Sequence, residues 1–123
     1  MTTYPLPQDT TAAGAARELA AAWAADAGWS DEQAADVLIV VSELAANAAR
    51  HASPPFALTL AGDADTVLVT VTDHGGASTP RARVADPGEG HGRGLAMVER
   101  LSAATGWRRD GGRTEVWARV ART

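Results

Sequence analysis

Three stretches of the chain place apolar residues at helical spacing, and others alternate strictly. Ala16, Leu19, Ala20, Trp23 and Ala27 fall on one face of a helix that Thr10 or Thr11 can cap and that runs to about Asp26. Gly28 then reads as a stop. Ser30-Asp31-Glu32-Gln33 matches a capping box, with Ser30 as the N-cap and Gln33 at the reciprocal position. The helix it opens should reach Arg50 or His51 before Pro54 and Pro55 forbid continuation. Its apolar stripe is Ala34, Val37, Leu38, Val41, Leu44, Ala45 and Ala48. Phe56, Leu58 and Leu60 alternate with Ala57, Thr59 and Ala61, and Val67, Val69 and Val71 share a face of the next run. The turn residues Gly62–Asp65 between these runs predict an antiparallel hairpin. A third helix is expected over about Leu95–Ala103, with Leu95, Val98 and Leu101 inward. Thr105–Arg109 and Thr114–Ala121 form a second strand pair around the turn Asp110-Gly111-Gly112-Arg113. At the start, Thr2–Gln8 carries Pro5 and Pro7 and can be at most an edge strand.

The order is (β)-α-α-β-β-loop-α-β-β, with strands arriving in adjacent pairs. That favours an α+β two-layer sandwich, with helices on one face of a mixed, mostly antiparallel sheet, over a doubly wound fold. Its 123 residues, without repeat or linker, suit one domain. Asp73–Glu89 contains three Gly and two Pro with little periodicity. A connection of that length in a small domain is usually functional.

Composition removes several function classes. Cysteine is absent, which excludes disulfides, thiol catalysis and thiolate zinc sites and fits a reducing, cytoplasmic setting. All 11 basic residues are Arg. Without Lys there is no P-loop and no Schiff-base chemistry. A net charge of −4 is a poor match for direct nucleic-acid binding. No apolar run is long enough to span a bilayer, and Met1–Thr10 lacks the basic and apolar regions of a secretory signal.

Three segments carry candidate chemistry. In Ser42-Glu43-Leu44-Ala45-Ala46-Asn47-Ala48-Ala49-Arg50-His51, Glu43 and Asn47 lie about 40° apart around the helix and His51 continues the line. They border the apolar stripe. The carboxylate can serve as a general base and the amide oxygen can ligate a hard cation. The ordinary alternative is a solvated i, i+4 polar pair. In Val69-Thr70-Val71-Thr72-Asp73-His74-Gly75-Gly76, Asp73 ends a buried strand and the glycines allow close approach of a ligand. Asp and Gly are equally routine at plain strand ends. Gly90-His91-Gly92-Arg93-Gly94 opens a helix, where backbone N–H groups and the helix dipole attract phosphate and Arg93 adds charge. It follows no predicted strand and so fails the Rossmann condition; a flexible glycine loop is the plain alternative. His51, His74 and His91 sit in separate segments without metal-ligand spacing.

Taken in order, these segments resemble the GHKL (Bergerat-fold) ATPase superfamily, and within it the stand-alone anti-sigma-factor serine kinases. SELAANAARHA resembles that family's N box, VTDHGG its adenine-binding G1 box, GHGRGLAMVERLS its G2 box, and GGRTEVWARV its closing strand. The likeness spans about Pro5 to Val120. It departs at Ala77, where the G1 box usually has its second glycine, and in a short segment at the lid position.

The resemblance implies ATP and Mg²⁺ as ligands. Glu43 would be the general base and Asn47 the Mg²⁺ ligand, with His51 beside them. Asp73 would accept from the adenine amino group, with Gly75 giving backbone room and Thr114 in support. Gly90, Gly92, Arg93, Gly94 and Leu95 would hold the phosphates, and Asp73–Glu89 would form the lid. The implied function is a serine/threonine protein kinase that phosphorylates an anti-sigma-factor antagonist protein and itself binds a sigma factor; a homodimer is compatible with it. The alternative is a non-catalytic module whose nucleotide state controls sequestration of a partner. The catalytic half of a sensor histidine kinase is disfavoured, because no helical hairpin with a phospho-acceptor His precedes the motifs.

Overall fold

A computed structural model describes residues 1–74 and 91–122, with the side chains of residue 51 and residues 91–95 outside the description. The elements are β1 (Thr2–Leu6), α1 (Ala12–Asp26), α2 (Asp31–His51), β2 (Phe56–Gly62), β3 (Thr66–Asp73), α3 (His91–Leu101), β4 (Ala104–Asp110) and β5 (Arg113–Ala121).

Local chemistry sets the start of α2 and the end of α1; α1 itself follows Thr11, whose hydroxyl donates to Asp9 Oδ1 and does not cap the helix as expected. At α2 both halves of the capping box form: Ser30 Oγ accepts from the Gln33 amide at 3.1 Å and Gln33 Oε1 accepts from the Ser30 amide at 3.0 Å. Gly28, at φ 84°, supplies the left-handed residue that lets the chain leave α1. The buried face of α1 is the i, i+4 row Ala12, Ala16, Ala20, Ala24. Side chains this small let α1 pack closely on α2. Leu19 and Trp23 flank that row half-buried, whereas Ala27 is exposed because the helix has ended.

The five strands form one sheet in the order β1-β2-β3-β5-β4. Every pairing among them is antiparallel, so the mostly antiparallel sheet expected from the sequence contains no parallel ladder. The crossover through α3 gives β3 and β4 the same direction, but β5 inserts between them. Register places Leu58 beside Val71, Leu60 beside Val69, and Val69 beside Ala118. These residues share the face covered by the helices. Val37, Val40, Val41 and Leu44 of α2 meet Leu58, Leu60, Val67, Val69, Val71 and Val120 in the buried core. Pro5 lies in β1, an edge strand, where its missing N–H interrupts no central ladder.

The third helix starts at His91, four residues before the expected Leu95. Gly92 and Gly94 therefore lie within its first turns instead of ahead of it. The last hairpin turns through Gly111 (φ 57°) and Gly112 (φ 84°), two left-handed residues in succession. This two-residue connection suits the twist of the strands it joins and sets Asp110 opposite Arg113 and Arg109 opposite Thr114.

Candidate functional site

Antiparallel pairing gathers the chemistry-bearing residues at one end of the sheet. α2 ends at His51, and after four intervening residues β2 begins at Phe56. β3 runs back along β2 and ends at Asp73, while β5 starts beside it, so Asp73 and Thr114 are register partners. Arg109 of β4 extends the same row to the sheet edge. Asp73 continues the inward series Val67, Val69, Val71, and Thr114 continues Val120, Ala118, Val116. Both therefore face the layer occupied by α2, which packs on β3 and β5. Asp73 is 1% exposed and Thr114 is fully buried.

Asn47 is buried with 3% exposure, inside the face of α2 that the apolar stripe marks. Neither its amide oxygen nor its amide nitrogen has a hydrogen-bond partner among the described residues. A buried polar group left in this state costs about 1–3 kcal/mol. Glu43, one turn earlier on α2, is half-buried. The two residues form a carboxylate–amide pair on one line of the helix, the carboxylate nearer solvent.

The strand end at Asp73 is tied to the segment that follows α2. The His74 amide donates to the Ser53 carbonyl at 2.9 Å, and His74 Nδ1 donates to the Pro55 carbonyl at 3.1 Å. These two bonds hold the end of β3 against the exit from the helix that carries Asn47. On the other side of Asp73, Thr114 Oγ1 accepts from Arg109 Nε at 3.2 Å. His74 lies inside VTDHGG with no role expected of it, and Arg109 lies in no motif. The signal for Arg109 was present in the turn: once Gly111-Gly112 is read as a two-residue hairpin, counting back pairs Arg109 with Thr114.

The remaining expected site residues are placed less fully. Gly75 and Gly90 lie outside the described residues, as does most of the segment Asp73–Glu89. His51 closes α2, and Gly92, Arg93, Gly94 and Leu95 belong to the first turns of α3, but their side chains lie outside the description. α3 packs against α2, and its C-terminus leads through two residues into β4 at the far end of the sheet.

The donor set can be tested against ATP and Mg²⁺. Among the described residues no group of His, Asp and Glu forms an all-protein metal cluster. A Mg²⁺ ion does not need one, since it takes one or two protein oxygens and completes its shell with phosphate and water. The Asn47 amide, without a partner among the described residues, offers such an oxygen, and its NH₂ group offers a donor for phosphate. The residues fit the group.

Comparison with known proteins bears on this arrangement. Residues 6–120 match the family model of the histidine kinase-like ATPase domain. The fold is similar to that in the crystal structure of the RsbU and RsbW domains of Rv1364c from Mycobacterium tuberculosis, with a TM-score of 0.68 and 24% identity, over 99% of this chain and 33% of that one. The chain thus spans about a third of that protein's length. It is also similar to the Acinetobacter baumannii histidine kinase AdeS, with a TM-score of 0.56 and 13% identity, over 100% of this chain and 68% of that one. At these identities the likeness is one of fold. No curated protein matches the sequence.

Proposed function

The chain belongs to the histidine kinase-like ATPase domain family, and from that premise we propose that it binds ATP with Mg²⁺ and acts as a serine/threonine protein kinase on a regulatory protein partner. The observation that carries the reading is the Asn47 amide, buried one turn from Glu43 and without a partner among the described residues. A protein tolerates an orphaned polar group of this kind where a ligand will complete it. Asn47 would hold Mg²⁺ through its amide oxygen. Asp73 would accept from an exocyclic amino group, which adenine carries where guanine carries an oxygen acceptor. Glu43 would accept the proton of the attacking hydroxyl and hold that oxygen in line. The bound Mg²⁺ would supply neutralisation of phosphate charge.

The partner in this reading is an anti-sigma-factor antagonist, with a sigma factor as a second binding partner. The motif resemblance supports it.

Two measurements test the proposal. Calorimetry should show ATP binding that depends on Mg²⁺ in the wild type and is lost in Asn47→Ala. Incubation with γ-labelled ATP and the candidate antagonist should label the antagonist, with Glu43→Ala reducing transfer by at least about 100-fold while ATP still binds. Absence of Mg²⁺-dependent binding would reject the nucleotide reading. Binding without transfer would reject the kinase and favour the non-catalytic module.

A further inference from the structure

His74 joins the end of β3 to the exit of α2. The register of β2 with β3 closes at Ala57 opposite Thr72, and continuing it would set Pro55 opposite His74. Pro54 and Pro55 have no N–H, so this stretch cannot donate into a ladder. His74 supplies the cross-links instead. Its amide donates to the Ser53 carbonyl at 2.9 Å, and its ring Nδ1 meets the Pro55 carbonyl at 3.1 Å. A carbonyl oxygen only accepts, so Nδ1 carries a hydrogen. The residue is exposed, so the ring fills no part of the core; it holds one main-chain segment against another. The segment it holds, residues 52–55, is the whole connection between α2 and β2. On one side of this tie stand Glu43 and Asn47 of α2, and on the other stands Asp73, the residue before His74.

We infer that His74 is a positioning residue: through its ring bond to the Pro55 carbonyl it fixes the gap between the end of β3 and the helix that carries Asn47. The inference rests on the reading of a nucleotide held from both sides, at its base by Asp73 and at its phosphates by Asn47 through Mg²⁺. A ligand held at two ends binds best when the two halves of its site already stand at the right separation, because slack must otherwise be removed on binding. The bond from the His74 amide belongs to the main chain and survives every substitution but proline. The ring bond is therefore the part of the tie that the side chain controls.

The test measures how far Mg²⁺ tightens ATP binding, by calorimetry on the full chain with the ion and with a chelator. That factor reports the bridge from the phosphates to α2, whereas the affinity without Mg²⁺ reports the base end. His74→Ala should lower the factor about threefold, the effect of one exposed hydrogen bond, and leave the affinity without Mg²⁺ unchanged. His74→Asn should restore the factor, because the amide nitrogen of Asn stands where Nδ1 does along the side chain. His74→Gln, whose amide nitrogen matches Nε2 instead, should not. Nitrogen NMR of the neutral wild-type ring should show the hydrogen on Nδ1. A melting curve reports folding of each variant, and the comparison of His74→Asn with His74→Gln carries the test if His74→Ala does not fold. Four results each overturn the inference and leave the nucleotide site standing: a folded His74→Ala with the wild-type factor, an equal loss of affinity with and without Mg²⁺, His74→Gln restoring as well as His74→Asn, or a neutral ring with its hydrogen on Nε2. Wild-type ATP binding that ignores Mg²⁺ overturns the two-ended reading and the inference with it.

Discussion

Asn47 sits where an apolar residue would pack. Its neighbours along the buried face of α2, Val40, Leu44 and Ala48, are all core residues, yet it brings an amide with no partner among the described residues. Asn47→Leu replaces the amide with an apolar side chain of the same branching and removes the desolvation penalty. The nucleotide-free protein should become more stable by about 1 kcal/mol, read from chemical denaturation, while Mg²⁺-dependent ATP binding disappears. A variant that is destabilised by more than 1 kcal/mol would show that the amide is already satisfied in the folded protein. The sequence made Asn47 a candidate through its spacing from Glu43, but spacing alone placed the pair at the margin of the stripe. Its burial depends on how α2 is rotated against the sheet and α3, which is a tertiary property. Arg109 was missed for a different reason. It belongs to no motif, and its role exists only through pairing with a residue on another strand.

The hairpin of β2 and β3 shows how an element's own chemistry gives a pH dependence. Asp63 Oδ1 accepts from the amides of Asp65 and Thr66, both at 2.8 Å. These bonds, led by the one from Asp65, hold its carboxyl below the usual carboxylate value. A carboxyl depressed on folding contributes stability above its unfolded-state pKa and loses that contribution as pH falls through the lower folded-state value. Asp63→Ala should therefore be less stable than the wild type at pH 7 by an amount that stays constant down to about pH 5 and narrows below about pH 4. Urea midpoints across that range would check it; a gap that widens in acid contradicts the assignment. Elements of this kind were legible because the residues that cap and turn them are adjacent in sequence: Ser30 with Gln33, Asp63 with Thr66, Gly111 with Gly112. The start of α3 was not, because Gly92 and Gly94 are poor helix formers and a local reading postpones the helix until after them. Packing of Val98 and Leu101 against the core outweighs that local preference.

At the scale of the molecule, residues far apart in the chain meet at one end of the sheet: the last turns of α2, the end of β3 and the start of β5. The alternation of buried and exposed positions made each strand's inner face legible, since the described helices pack on one face of the sheet. The strand order was beyond a local reading, because the insertion of β5 between β3 and β4 depends on contacts across more than forty residues, such as Val69 with Ala118. Among the described residues, two hydrogen bonds from His74 tie the end of β3 to the helix exit. A nucleotide bound by Asn47 on α2 and Asp73 on β3 would join the helical layer to the sheet from within. Binding to the folded state alone raises stability by about 2.7 kcal/mol at a ligand concentration 100 times Kd, which for a domain of this size is a rise of several degrees in Tm. ATP with Mg²⁺ should produce that rise. ATP with a chelator should produce a smaller one, because the adenine end still binds Asp73 while the phosphate end loses its bridge to α2. In Asn47→Leu the two conditions should converge on the smaller value. If the chelator makes no difference to the wild type, the ion is not what joins Asn47 to the nucleotide, and the link between helix and sheet must run through other groups.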